Sequence, residues 1–222
     1  MTRVLISRDT RPLFAFISAF AVATLLVTQA SASTPEWDAC KGSEPEYSLD
    51  QQIAGCTKVI ESDRAATAPP HSLAVAYYNR GYAYDDKEQY ELAIADYSRA
   101  IGHDPDYAKA YAERCRTRAI TNRDLKLALA DCDKAMALNY PKPHFTRISR
   151  GIIYFRWGQW HQAITEFDSA LRVKPDHATA LFVRGCAKRH KGDTRGGDAD
   201  IAAAEKIAPG TTQYWRKFAI VP

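Results

Sequence analysis

The side chains in this sequence with most chemistry to offer are five cysteines and a recurring arginine–carboxylate spacing. Cys40 and Cys56 stand 16 residues apart, Cys115 and Cys132 stand 17 apart, and Cys186 is left over. None of them forms a C-x-x-C pair, so zinc-type ligation is not expected. What remains open to these thiols is oxidation or quiet burial. The six histidines (His71, His103, His144, His161, His177 and His190) are scattered, and none falls in an H-E-x-x-H pattern. There is no G-x-S-x-G elbow, phosphate-binding loop or dinucleotide fingerprint. The glycines between Gly192 and Gly197 read as a turn and a weak helix start. No catalytic residue, metal or cofactor is expected.

Arg80, Arg114, Arg150 and Arg184 are followed 16 or 17 residues later by Asp96, Asp131, Glu166 and Asp200. Two readings fit. They are four ion pairs fixing helix packing, each worth less than about 1 kcal/mol if exposed, or an arginine ladder that reads an acidic ligand. The matching acids favour the first, because they would occupy the arginines.

The elements that must position these residues show in a longer period. Gly81, Gly151 and Gly185 are spaced by 70 and 34 residues, and Pro105, Pro175 and Pro209 repeat those intervals. Ala93, Ala128 and Ala163 fall 35 apart, as do Ala100, Ala135 and Ala170. A period near 34 in a helical pattern means helix pairs stacked one on the next. In the most regular copy, residues 74–107, Tyr77, Gly81, Tyr84, Tyr90, Ala93, Tyr97, Ala100 and Pro105 fall in the slots of the tetratricopeptide repeat, which this stretch closely resembles. Gly81 and Ala93 are small where two helices would cross, and Asp104-Pro105 ends the second helix.

The resemblance implies an all-α fold, a right-handed α-solenoid of stacked antiparallel helix pairs. Four repeats are expected over 74–107, 108–142, 144–177 and 178–211, the last with its second helix weakened by Gly196 and Gly197. A degenerate pair carrying Trp37, Cys40 and Cys56 is expected over 33–73, and a partial capping helix over 212–222. On this register Cys115 takes the slot of Gly81 and Cys132 that of Tyr97, and Cys40 and Cys56 count back to the same two slots. Cys40–Cys56 is expected as a disulfide. For Cys115–Cys132 a bond and two packed thiols both remain open. Each bond would contribute about 3 kcal/mol.

The N-terminus orders Arg3, Arg8 and Arg11, an apolar run from Leu13 to Val27, and Ala30-Ser31-Ala32. This is the layout of a secretory signal cleaved after Ala32, with an uncleaved membrane anchor as the alternative. Removing residues 1–32 would leave 27 basic against 25 acidic groups, a balance with no pull on nucleic acid. The location that follows is periplasmic or secreted, where disulfides persist.

The expected function is non-catalytic: a bacterial cell-envelope module that binds another protein or peptide. The alternative is a membrane-anchored envelope assembly factor. The family binds ligands on the concave face lined by first helices. Its slots there hold Tyr78, Tyr82 and Asp85, then Ala112 and Arg116, then Ile148, Ile152 and Phe155, then Phe182 and Arg189. The subgroup that grips C-terminal carboxylates has lysine, asparagine and arginine there. Tyrosine at two of those places points instead to apolar side chains of an extended or helical peptide.

Overall fold

The computed structural model describes residues 34–42, 47–62 and 65–222, and every regular element among them is helical. The expected signal sequence and cleavage site, residues 1–32, lie outside the described residues. No described helix is long and apolar enough to cross a membrane.

The chain enters through a short hairpin, α1 (Pro35–Lys41) and α2 (Leu49–Glu61). Thr34 caps α1, accepting from the Trp37 N–H at 3.4 Å, and Gly42 ends it at φ 57°. Ser48 opens α2 with a capping box: its hydroxyl accepts from the Gln51 N–H, while the Gln51 side chain accepts from the Ser48 N–H at 2.8 Å. Cys40 and Cys56 join the two helices in a disulfide with Cα atoms 4.4 Å apart.

Four longer pairs follow: α3 (Pro70–Asp86) with α4 (Tyr90–His103), α5 (Ala108–Ile120) with α6 (Leu125–Ala137), α7 (Pro143–Arg156) with α8 (Trp160–Val173), and α9 (Ala178–His190) with α10 (Thr194–Ile207). Each pair packs along its length and onto the next. Tyr97 and Phe167, both without solvent exposure, fill the crossings of the first and third of these pairs against Gly81 and Gly151. In the second, the disulfide Cys115–Cys132 takes the place of that glycine–ring contact, with Cα atoms 5.4 Å apart. In the fourth, a Cβ on Gly185 would stand 2.7 Å from the Gly197 carbonyl. Gly197, which weakens α10 in isolation, is thus what lets it lie against α9, and Asp193 caps the start of α10 by accepting from the Gly196 N–H at 2.9 Å.

The arginines form a ladder on buried acids. Arg80 grips Asp96 with two bonds of 2.7 and 3.0 Å, Arg114 grips Asp131 at 2.8 and 2.6 Å, and Arg184 grips Asp200 at 2.7 Å twice. Arg150 reaches the longer Glu166 through a single contact of 3.1 Å. The third nitrogen of each arginine turns back to the preceding pair, onto Thr57, Ser98, Asp133 and Asp168 respectively. Asp96 is 2% exposed and the other three acids no more than 8%. The surface-pair estimate of under about 1 kcal/mol therefore does not apply: removing one partner of a buried pair costs about 3–5 kcal/mol.

After α10 the chain turns at Gly210 (φ 90°) into α11 (Thr211–Arg216), six residues long. It does not run on as the opening helix of a further pair. A second turn follows at Ala219 (φ 54°), and the segment lies over the face lined by first helices. Trp215 and Ile220 enter the same buried cluster as Ile152, Phe182 and Cys186. Arg156 donates to the Phe218 carbonyl at 3.0 Å, Lys217 pairs with Glu88 at 2.5 Å, and Phe218 meets the Tyr90 ring at 6.1 Å.

Candidate functional site

Successive pairs are antiparallel hairpins, so α3, α5, α7 and α9 run the same way and line one face together. Tyr82, Arg116, Ile152 and Cys186 share one repeat slot on it. Their exposure falls along the stack: Tyr82 is 43% exposed and the Arg116 side chain 32%, against 1% for Ile152 and none for Cys186. Burial pushes the Cys186 thiol up to about 12, so it stays protonated.

At the exposed end of that series is a cavity of about 770 Å³. Its walls are the rings of Tyr78 and Tyr82 from α3, Tyr140 from the approach to α7, Phe145 from the first turn of α7, Tyr90 from α4, and Tyr214 from α11. Of the family-slot residues, the structure brings Tyr78, Tyr82, Asp85, Ala112 and Arg116 to this cavity. It does not bring Ile152, Phe155, Phe182 or Arg189. Ile148, Ile152 and Phe182 are core. Phe155 packs edge-on to Trp160 and His190, at 5.1 and 5.7 Å, and Arg189 is bonded to Asp198. Trp215 and Ile220 of the closing segment join the buried cluster that holds Ile148, Ile152 and Phe182.

Arg116 lies on the cavity floor, bonded to Asp85 through Nη2 and to Glu113 through Nε at 2.8 Å. Asp85 also accepts from Thr117 at 2.8 Å. Burial works against the charge on Arg116, but Glu113 and Asp85 more than offset it and hold the guanidinium protonated. Burial raises the phenols of Tyr78, Tyr82 and Tyr140, the last to about 12, so they act as neutral donors and apolar walls. Burial, and then neighbouring Asp85, raises Asp86 as well. Thr146 lines the cavity at 1% exposure, and its hydroxyl has no hydrogen-bond partner among the described residues. A buried hydroxyl of that kind costs free energy unless something bonds to it.

No histidine or cysteine lines the cavity. The described residues contain no cluster fit to hold a metal ion. Rings, phenols and a restrained guanidinium can bind and orient a chain segment. Family-slot reasoning missed Glu113, Ser149, Tyr140 and Tyr214. Glu113 and Ser149 share the slot of Asn79, one position before the arginine ladder, so the periodicity did carry a signal for them. Tyr140 lies in a connection and Tyr214 beyond the last pair, where no slot applies.

Residues 74–107 and 115–188 each match a family model described as tetratricopeptide repeat. The chain carries tetratricopeptide repeats. Human tetratricopeptide repeat protein 13 is 29% identical over 125 residues, covering 54% of this chain but only 14% of that protein. Among solved tetratricopeptide-type folds, PilW, a type IV pilus biogenesis factor, superposes with a TM-score of 0.63 at 18% identity, over 83% of this chain and 82% of its own. MamA gives 0.60 at 19%, over 81% and 93%. YrrB, titled as having an unusual peptide-binding site, gives 0.59 at 21%, over 84% and 92%. At these identities the likeness shows the fold, an α-solenoid of helix pairs.

Proposed function

We propose that this chain is a non-catalytic protein–protein interaction module of the bacterial cell envelope, which holds a partner peptide or protein segment on its first-helix face. The division follows the repeat: an export signal over 1–32, a disulfide-linked helix pair over 33–73, four repeats over 74–211 and a closing segment over 212–222. One observation carries the binding reading: a cavity walled by six half-buried or exposed aromatic rings around an unpartnered buried hydroxyl. Rings of this kind supply large contact area at low entropic cost and tend to dominate affinity. Two disulfides support an oxidising compartment.

Affinity capture from envelope extract tests the binding reading. Tyr82→Ala with Tyr140→Ala is expected to weaken retention of the wild-type partner at least tenfold while helical content stays unchanged. Full retention by the folded double variant moves the binding site off this cavity. Intact-mass measurement of exported protein should show Ser33 as the first residue. Retention of residues 1–32 favours the membrane-anchored assembly factor.

A further inference from the structure

The cavity is electrically polar from one edge to the other. Along α3 it takes in only the second half of the helix, ending at Asp85, Asp86 and Glu88. On the other side it takes in Lys109, in the first turn of α5, and Lys142, the residue preceding α7. A helix carries partial positive charge at its N-terminus and partial negative charge at its C-terminus. The acids stand at a negative helix end and the lysines at two positive ones, against the arrangement that would stabilise the helices. Side chains and backbone therefore reinforce the same polarity.

The charges at the edges are also available. Asp86, Lys109 and Lys142 are exposed, and none makes an ion pair or hydrogen bond among the described residues. Lys142 has only the Phe145 ring, at 5.9 Å. By contrast Asp85, beside Asp86 at the acidic edge, and Glu113 are engaged by Arg116. The acidic edge already receives one basic peptide residue. Lys217, from the chain's own closing segment, reaches Glu88 while lying over the rings of Tyr214 and Phe218 at 5.2 and 6.0 Å.

We infer that the partner of this cavity is a mixed-charge peptide segment lying across it. It presents a lysine or arginine to Asp86, an aspartate or glutamate to Lys109 and Lys142, and an aromatic or apolar side chain to the tyrosines between them. A backbone or side-chain polar group of the same segment meets the Thr146 hydroxyl. This inference rests on the groove reading proposed above and adds the partner's chemistry and orientation. Charge complementarity of this sort mainly sets specificity and register, while the rings supply most of the affinity.

Selection of a random displayed-peptide library on the full exported protein tests it. The enriched peptides should carry a basic residue on one side of an aromatic and an acidic residue on the other, in a constant order. Asp86→Lys should lower the affinity of a selected peptide about tenfold and shift a fresh selection toward acidic residues at the basic position. Lys109→Glu with Lys142→Glu should do the reverse at the acidic position. All three substitutions are at exposed sites, and circular dichroism checks that the variants fold. Peptides that need Tyr82 and Tyr140 but ignore the three charges overturn this inference and leave the groove reading standing. Peptides that bind the Tyr82→Ala, Tyr140→Ala variant as well as wild type overturn both.

Discussion

The two halves of the first-helix face are built from the same repeat slots and end as different things. Around α3 and α5 the slots hold Tyr78, Tyr82 and Arg116 and border an open cavity. Around α7 and α9 they hold Ile148, Ile152, Phe182 and Cys186 and are core. Residue type and burial agree: apolar side chains stand in the half whose buried cluster Trp215 and Ile220 join, and phenols and a guanidinium in the other. A slot in a repeat fixes where a side chain points, and what lies over it decides whether the side chain is groove or interior. The closing segment is thus part of the site, since it fills half the face and lends Tyr214 to the wall of the other half.

The contrast can be broken at its strongest point first. Trp215→Ala should destabilise the protein by about 3–5 kcal/mol, because it removes a buried indole from the covered half. Chemical denaturation measures this, and an unchanged midpoint would mean that the segment does not cover the face in solution. Next is the ladder beneath both halves. Asp96→Ala leaves Arg80 buried without its carboxylate and should cost about 3 kcal/mol, with much of the loss recovered when Arg80→Met is added. Failure of that recovery would show the pair to be worth more than its replacement by apolar packing. In the open half, Tyr82→Ala should change stability by about 1 kcal/mol or less, since the residue is 43% exposed and belongs to no buried cluster. A larger loss would make Tyr82 part of the core and erase the distinction.

The smallest effect concerns pH. His177 caps α9 by accepting from the Ala180 N–H at 3.4 Å, a role open only to the neutral ring. Burial lowers its pKa, and Lys174 and His144 add to the effect. The unfolded chain therefore binds the proton more readily. Stability falls as pH drops through about 6.5 toward the lower folded value. The melting temperature should decline by roughly 2 °C or less over that range. His177→Asn, which caps without titrating, should flatten that part of the curve, and an unaltered slope would assign the titration to another group.

Much of this was legible in the sequence because the repeat turns position into place. Residues 16 or 17 apart face each other across a pair, which is why the spacing of Arg80 and Asp96, or of Cys115 and Cys132, translates into contact. What the period does not encode is burial of the ladder. The backward bonds to Thr57, Ser98, Asp133 and Asp168 connect different pairs and show only once the pairs are stacked. The path of residues 211–222 was illegible for a different reason. Trp215 and Phe218 fit repeat slots locally, but the turn at Gly210 and contacts with Glu88 and Tyr90 override that periodicity.

Lys217 and Glu88 are 129 residues apart, and their contact changes how the whole stack comes apart. In an open solenoid each unit touches only its neighbours, and stability is a sum of units and interfaces that frays from the ends inward. Here the last residues touch the α3–α4 pair through Lys217 on Glu88 and Phe218 on Tyr90, so melting of the far end should remove contacts from a pair near the beginning. The arrangement is less a row of dominoes than a buckled belt. Pulled by its two termini, it should resist until the buckle opens and then lose several pairs in a single event. Amide exchange should likewise be nearly uniform from α4 to α10, without the graded protection of an open row.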